Sequence, residues 1–295
     1  MADADLVSIA SGGLTARIHP LGAELWSLTD AQGREYMTDA DPAFWTGHAP
    51  ILFPIVGELR GGTYRLGDRE FAMARHGFAR RSPFALVERR ADVARFRLTD
   101  SDETRAHYPF AFVLEMGFRL TLDGRLEMEA RIANPGNESL PFSFGFHPAF
   151  AWPLPDGGEK LAHAVTFEHA EPADIRCLDD QGLVAGHAES PLDGKSLRLS
   201  PDLFVGDALI WDRLASRRLA YHGPTGTPRL EIAFPDTPFM GVWQKPGAGY
   251  ICIEPWHGLA DAADFAGDFR DRPGVITLPP GAVHCLRMDV TVVPA

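Results

Sequence analysis

The chain has 295 residues, 45% of them hydrophobic, enough to bury a large core. Acidic residues outnumber basic ones 40 to 28, for a formal charge of −12, which argues against nucleic acid and anionic membrane surfaces as partners. Three scattered cysteines (Cys177, Cys252, Cys285) form no C-x-x-C pair and point to a reducing, cytoplasmic setting, and the acidic start Met1 to Asp5 lacks the pattern of a secretory leader.

The stretch Ala49 to Gly57 is apolar but far too short to span a bilayer, and its prolines suggest buried loop and strand. From Phe71 to Phe78 a period of two predicts a strand with Ala72, Ala74 and His76 on one face, running into Gly77-Phe78-Ala79-Arg80. Arg95 to Leu98 reads as a strand. Met116, Phe118, Leu120 and Leu122 form one apolar stripe and Leu126, Met128, Ala130 and Ile132 the return stripe, with Asp123-Gly124 as the turn between them.

Pro141 to Pro148 sets Phe142, Phe144 and Phe146 on a core face and Ser143, Gly145 and His147 on the other, a small-residue floor on which a ligand could lie flat. Pro153 to Lys160 reads as a loop. Trp211 to Leu219 is the best candidate for a short helix. Leu230 to Phe234 and Val283 to Val293 alternate as strands. No helical period is sustained over three turns. A single antiparallel all-β unit spanning 1–295 is the expected organisation, because the candidate residues come from the first, middle and last thirds of the chain.

Tyr250 to Gly258 carries the most chemistry. As a strand it puts Tyr250, Cys252 and Glu254 on one face and Ile251 and Ile253 on the other, and Pro255, which cannot donate to a ladder, is expected to end it. A solvated edge carboxylate would read the same way. With two histidines on small-residue faces beside it, a proton-transfer site becomes the better reading, since imidazole titrates near neutrality and a desolvated carboxyl can be raised toward it. His76, His147 and His257 lack metal-ligand spacing, so no metal or cofactor is expected.

The motifs Gly22-Ala23-Glu24-Leu25, Pro50 to Gly57, His76-Gly77-Phe78-Ala79-Arg80, Tyr108-Pro109-Phe110, Phe144 to Phe150, Asp207-Ala208-Leu209-Ile210 and Ile253-Glu254-Pro255-Trp256 with Gly258 and Asp261 occur in order along the chain. In this the sequence resembles the aldose 1-epimerase (galactose mutarotase-like) family, in its LacX-like branch. The resemblance implies a large antiparallel β-sandwich, the galactose mutarotase-like supersandwich, with few short helices. It implies interconversion of the α and β anomers of an aldohexose by ring opening and reclosure, in a monomer or homodimer. By the same resemblance Glu254 is the base and His147 the acid, and His76 and Asp207 hold the sugar. Where much of the family carries an arginine this chain has Glu58, and Arg60 is the candidate to replace it through a shifted loop. The alternatives are a hexose-6-phosphate 1-epimerase, with Arg80 and either Arg75 or Arg81 clamping the phosphate, and a non-catalytic sugar-binding or sensing protein.

Overall fold

The computed structural model describes residues 6–171 and 173–295, so the acidic start, Met1 to Asp5, lies outside the described residues. Two large antiparallel sheets make the framework. The nine-stranded sheet runs, edge to edge, through Ser196–Arg198, Ala164–Phe167, Arg218–His222, Arg229–Ala233, Val283–Val293, Arg125–Ala133, Val113–Leu120, Val93–Thr99 and Ala85–Arg89. The eight-stranded sheet runs through Val184–Ala188, Ile175–Leu178, Leu209–Trp211, Phe239–Trp243, Tyr250–His257, Phe144–Phe146 and Ile51–Leu52, and Ala149–Ala151 also pairs with Tyr250–His257. One apolar cluster joins the inner faces, with Met116, Phe118, Met128 and Ile132 from the larger sheet and Phe144, Phe146, Ile251 and Ile253 from the smaller. The result is the expected all-β sandwich. None of the described helices is long and apolar enough to cross a membrane.

Alternation wrote the central hairpin correctly. Leu126 faces Leu120, Met128 faces Phe118 and Ile132 faces Leu114, all buried. Leu122 is a correction: it is 90% exposed at the tip, because the strand stops at Leu120 and Thr121 and Arg125 close the turn. The expected helix from Trp211 to Leu219 is absent. Trp211 ends a strand opposite Met240 and Asp212 binds Arg176, so tertiary pairing overrides a weak local pattern. The α-helix of the described residues is Asp102–His107, capped at Ser101, whose side chain accepts from the Thr104 N–H while Thr104 returns a bond to the Ser101 N–H. That capping box in Ser101-Asp102-Glu103-Thr104 was the available signal.

Three further expectations about the site strands change. Phe71 to Phe78 is not one strand: Arg69–Ala72 ends early and the chain turns, with His76 and Gly77 both at positive φ. Pro141 to Pro148 is split between partners, Leu140–Phe142 pairing with Ile276–Leu278 and Phe144–Phe146 with Tyr250–His257. Its three phenylalanines still all enter the core. Tyr250–His257 runs straight through Pro255. Ile253 donates its N–H to the Pro148 carbonyl, so Pro255, two residues on, turns its missing N–H to the same side. That is where pairing with Phe144–Phe146 has stopped, and no ladder bond is lost.

Candidate active site

The apolar residues Ile251 and Ile253 anchor their strand in the core, so Tyr250, Cys252, Glu254 and Trp256 project from the outer face of the smaller sheet. His147 joins them by register. Gly145 pairs with Trp256 and Ala149 with Cys252, and these two pairings share one register, which sets His147 directly opposite Glu254 across the interrupted ladder. His147 Nε2 and Glu254 Oε2 are 3.2 Å apart, and both side chains are buried.

The small-residue floor proposed over Ser143 and Gly145 is not open. Ser143 is 1% exposed, and a Cβ on Gly145 would meet the Trp256 indole at 2.5 Å. A Cβ on Gly241, opposite Glu254 on the other neighbouring strand, would meet the same indole at 2.4 Å. The two glycines exist to let Trp256 lie flat across three strands, and the indole, not the backbone, lines the pocket.

That pocket has a volume of about 330 Å³, at the small end of the range for ligand sites. It brings together His76, His147, Asp207, Arg80 and Glu254, five of the six residues singled out from sequence. Arg60 is the exception and a correction. Its guanidinium bonds the Phe265 carbonyl in a separate surface groove, and its N–H bonds Asp261. Arg75 and Arg81, the candidate companions of Arg80, line the pocket as well, and the sequence reading missed Trp45, which also lines it. Trp45 stands 5.1 Å from the His147 ring and edge-on to Trp243 at 5.8 Å, forming an aromatic wall. Phe44-Trp45, an aromatic pair between strands, was the only trace of it.

His76 is held by Gly57 from two sides. Its N–H donates to the Gly57 carbonyl, and its Nδ1 accepts the Gly57 N–H at 3.1 Å. An accepting Nδ1 puts the ring proton on Nε2, which leaves a donor for the pocket. A Cβ on the neighbouring Gly77 would sit 2.1 Å from the Phe53 carbonyl oxygen, at a φ of +74°. Gly77→Ala is therefore expected to cost roughly 2–3 kcal/mol, measured by denaturant unfolding, with KM for the substrate raised as His76 shifts. Asp207, also at positive φ, is set on the turn before Leu209–Trp211.

Asp261, the last residue of that motif, is a strut rather than a ligand group. It pairs with buried Arg272, accepts the Arg60 N–H, and gives its own N–H to the Glu58 carbonyl. Asp261→Ala leaves Arg272 buried without its counter-charge. A loss of roughly 3–5 kcal/mol is expected, read as a melting temperature lower by about 6 °C or more.

Burial sets the electrostatics. Desolvation pushes Glu254 well above the usual carboxyl range, and Asp207 adds to this against the fields of Arg75 and Arg80. Desolvation pushes His147 down to about 3, with Arg80 adding to it. His76 is likewise held neutral. These opposed shifts favour the state in which the pair's proton rests on the carboxyl and the imidazole is neutral. His147, Cys252 and Glu254 also place one potential metal-ligand atom each within 4.8 Å of the others. Burial keeps the Cys252 thiol protonated and two arginines oppose a cation there, so the donor set fits a metal poorly.

A β-sandwich that holds a buried carboxyl–imidazole pair in a pocket of about 330 Å³ is an arrangement suited to acid–base chemistry. The aldose 1-epimerase family model matches residues 5–272, and the chain belongs to that family, whose members act on small sugars. It is 32% identical over 290 residues to the chromosomal LacX protein of Lactococcus lactis subsp. lactis, covering 95% of this chain and 96% of that one. A galactose mutarotase related enzyme from Lactobacillus acidophilus superposes with a TM-score of 0.91 at 30% identity, covering 98% and 97% of the two chains. A galactose mutarotase-like protein from Lactobacillus casei gives 0.91 and 30%, covering 98% and 100%. The fold is shared with galactose 1-epimerase from L. acidophilus, at a TM-score of 0.72, 15% identity and coverage of 100% and 97%.

Proposed function

We propose that the protein is a mutarotase: it interconverts the α and β anomers of an aldose by opening and reclosing the ring. The observation that carries this is the 3.2 Å contact between His147 Nε2 and Glu254 Oε2, a buried imidazole–carboxyl pair that lines the pocket. Mutarotation is a net-neutral proton exchange. The anomeric hydroxyl gives up its proton as the ring oxygen gains one, and the reverse follows after rotation about C1–C2. A pair with one shared proton supplies both transfers without metal or cofactor, and the roles exchange between opening and closure. In the ring-opening direction the pair's proton passes from Glu254 to His147 once substrate is bound; His147 delivers it to the ring oxygen while Glu254, then a carboxylate, takes the proton from the anomeric hydroxyl. His76 Nε2–H donates to a sugar hydroxyl and Asp207 accepts from others. Trp256 and Trp45 present flat apolar surfaces to the ring. A small-molecule sugar as the partner and a reducing cytoplasm as the setting belong to the same reading; all three cysteines are free.

Polarimetry of freshly dissolved α-glucose and α-galactose decides it. The protein should speed the approach to anomeric equilibrium, and His76→Asn should raise KM more than it lowers kcat. A rate equal to the uncatalysed one for every sugar tried, charged sugars included, would favour a binding protein instead.

A further inference from the structure

We propose that the Trp256 indole N–H is a positioning donor for Glu254: it closes a hydrogen bond onto the carboxylate that forms when the pair's proton passes to His147. This rests on the mutarotase reading for the reaction that the bond serves.

Among the described residues three tryptophans are buried, and two of them have a partner for the indole N–H. Trp152 donates to the Lys160 carbonyl at 2.8 Å and Trp211 to the Ser190 hydroxyl at 3.0 Å. Trp256 is 5% exposed, and its Nε1 has no partner among the described residues. A buried N–H without an acceptor is costly, and such groups are rare in folded proteins. Glu254 Oε2 is the matching case. It is a buried acceptor, equally without a hydrogen bond, on the same face of the same strand.

Two glycines aim the donor. An added Cβ on Gly145, which pairs with Trp256, would meet the indole at Cδ1 and Nε1, at 2.5 and 3.2 Å. One on Gly241, which pairs with Glu254, would meet it at Cη2 and Cζ2, at 2.4 and 2.6 Å. The ring therefore runs diagonally from its own row of the sheet to the Glu254 row, and Nε1 lies on the way. There the N–H works against the burial of the carboxyl and lowers its pKa. Indole and carboxyl stop short of an aligned hydrogen bond, as suits a carboxyl that burial holds neutral.

Ionisation closes the bond, because a carboxylate is a stronger acceptor than a carboxylic acid. The N–H thus favours the proton arrangement with a carboxylate at Glu254 and an imidazolium at His147, the one that attacks the anomeric hydroxyl. An interaction stronger there than in the resting site raises kcat rather than substrate affinity. Around the same carboxyl, Arg75 and Arg80 lower the pKa through their charge, and Asp207 raises it. The Cys252 thiol and the Tyr250 hydroxyl stay protonated beside it. None of these five makes a hydrogen bond to the carboxyl, which leaves the indole as the directed donor. Indole is a donor only, so it takes no part in the proton exchange itself.

The test replaces Trp256 with 3-benzothienylalanine, which keeps the two fused rings and puts sulfur where the N–H stands. On the sugar that the parent turns over fastest, kcat should fall about 10- to 100-fold, with KM within about threefold. The alkaline limb of kcat/KM should move to higher pH, since losing a bond to the ionised form raises the carboxyl pKa. A second measurement needs no Trp256 variant. In the parent the indole proton of Trp256 should move downfield by NMR as Glu254 ionises at alkaline pH, and it should stay fixed in Glu254→Gln. An unmoved limb overturns the proposal even where kcat falls, because an indole that only fills space would give that result. So does an indole proton that behaves alike in the parent and in Glu254→Gln. Absence of turnover by the parent on every sugar overturns the mutarotase reading instead, and the indole resonance then decides the hydrogen bond by itself.

Discussion

Glu254→Gln is expected to fold, to lose about 10²- to 10⁴-fold in kcat, and to melt above the parent at pH 8. The amide keeps the shape of the carboxyl and can still contact His147, but it can neither take nor give a proton. The stability part follows from the raised pKa. Burial holds the folded carboxyl protonated well above the usual range, while the unfolded chain ionises it near the ordinary value. A group of this kind stabilises fully below its unfolded pKa and loses that contribution as pH rises through the folded one. Glutamine has no proton to lose. The variant's advantage in melting temperature should therefore be largest at pH 8 and vanish near pH 4. Unchanged kcat would remove Glu254 from the chemistry. An unchanged melting temperature at pH 8 would show that the carboxyl is not held neutral.

What could be read from the sequence was whatever strand alternation or residue chemistry fixes locally. The hairpin around Asp123-Gly124 and the two faces of Tyr250 to Glu254 are both period-two patterns, and both are present. The pairing of His147 with Glu254 was read only as convergence. Its cause is a shared cross-strand register, which depends on residues a hundred positions apart. The errors have one common origin. Ser143 and Gly145 looked like an open floor because a neighbouring strand's Trp256 cannot be seen from their own segment. Arg60 looked able to reach the pocket because loop direction is set by Asp261 and Phe265, far along the chain. Trp45 sits on a loop, where no periodicity fixes the direction of a side chain.

His147→Asn should cost a similar 10²- to 10⁴-fold in kcat, and its pH dependence separates a proton carrier from a mere scaffold. A free imidazole would change charge near 6.5, but burial and Arg80 lower this one to about 3. The parent's kcat/KM should therefore stay level through pH 6.5 and fall only toward pH 3, as the pair takes a second proton. The alkaline limb belongs to the raised Glu254. Stability moves in the same window. Between 6.5 and about 3 the unfolded chain binds a proton at this histidine and the folded chain does not, so the parent loses stability as pH falls. Asparagine binds no proton in either state, so the variant should lack that part of the acid loss. A parent profile with a limb at 6.5, absent from the variant, would mean that the working pair is an imidazolium facing a carboxylate even before substrate arrives. A variant that kept the parent's kcat would leave Glu254 without its partner, and the shared proton would have to travel through His76, whose ring stands 5.8 Å from that of His147.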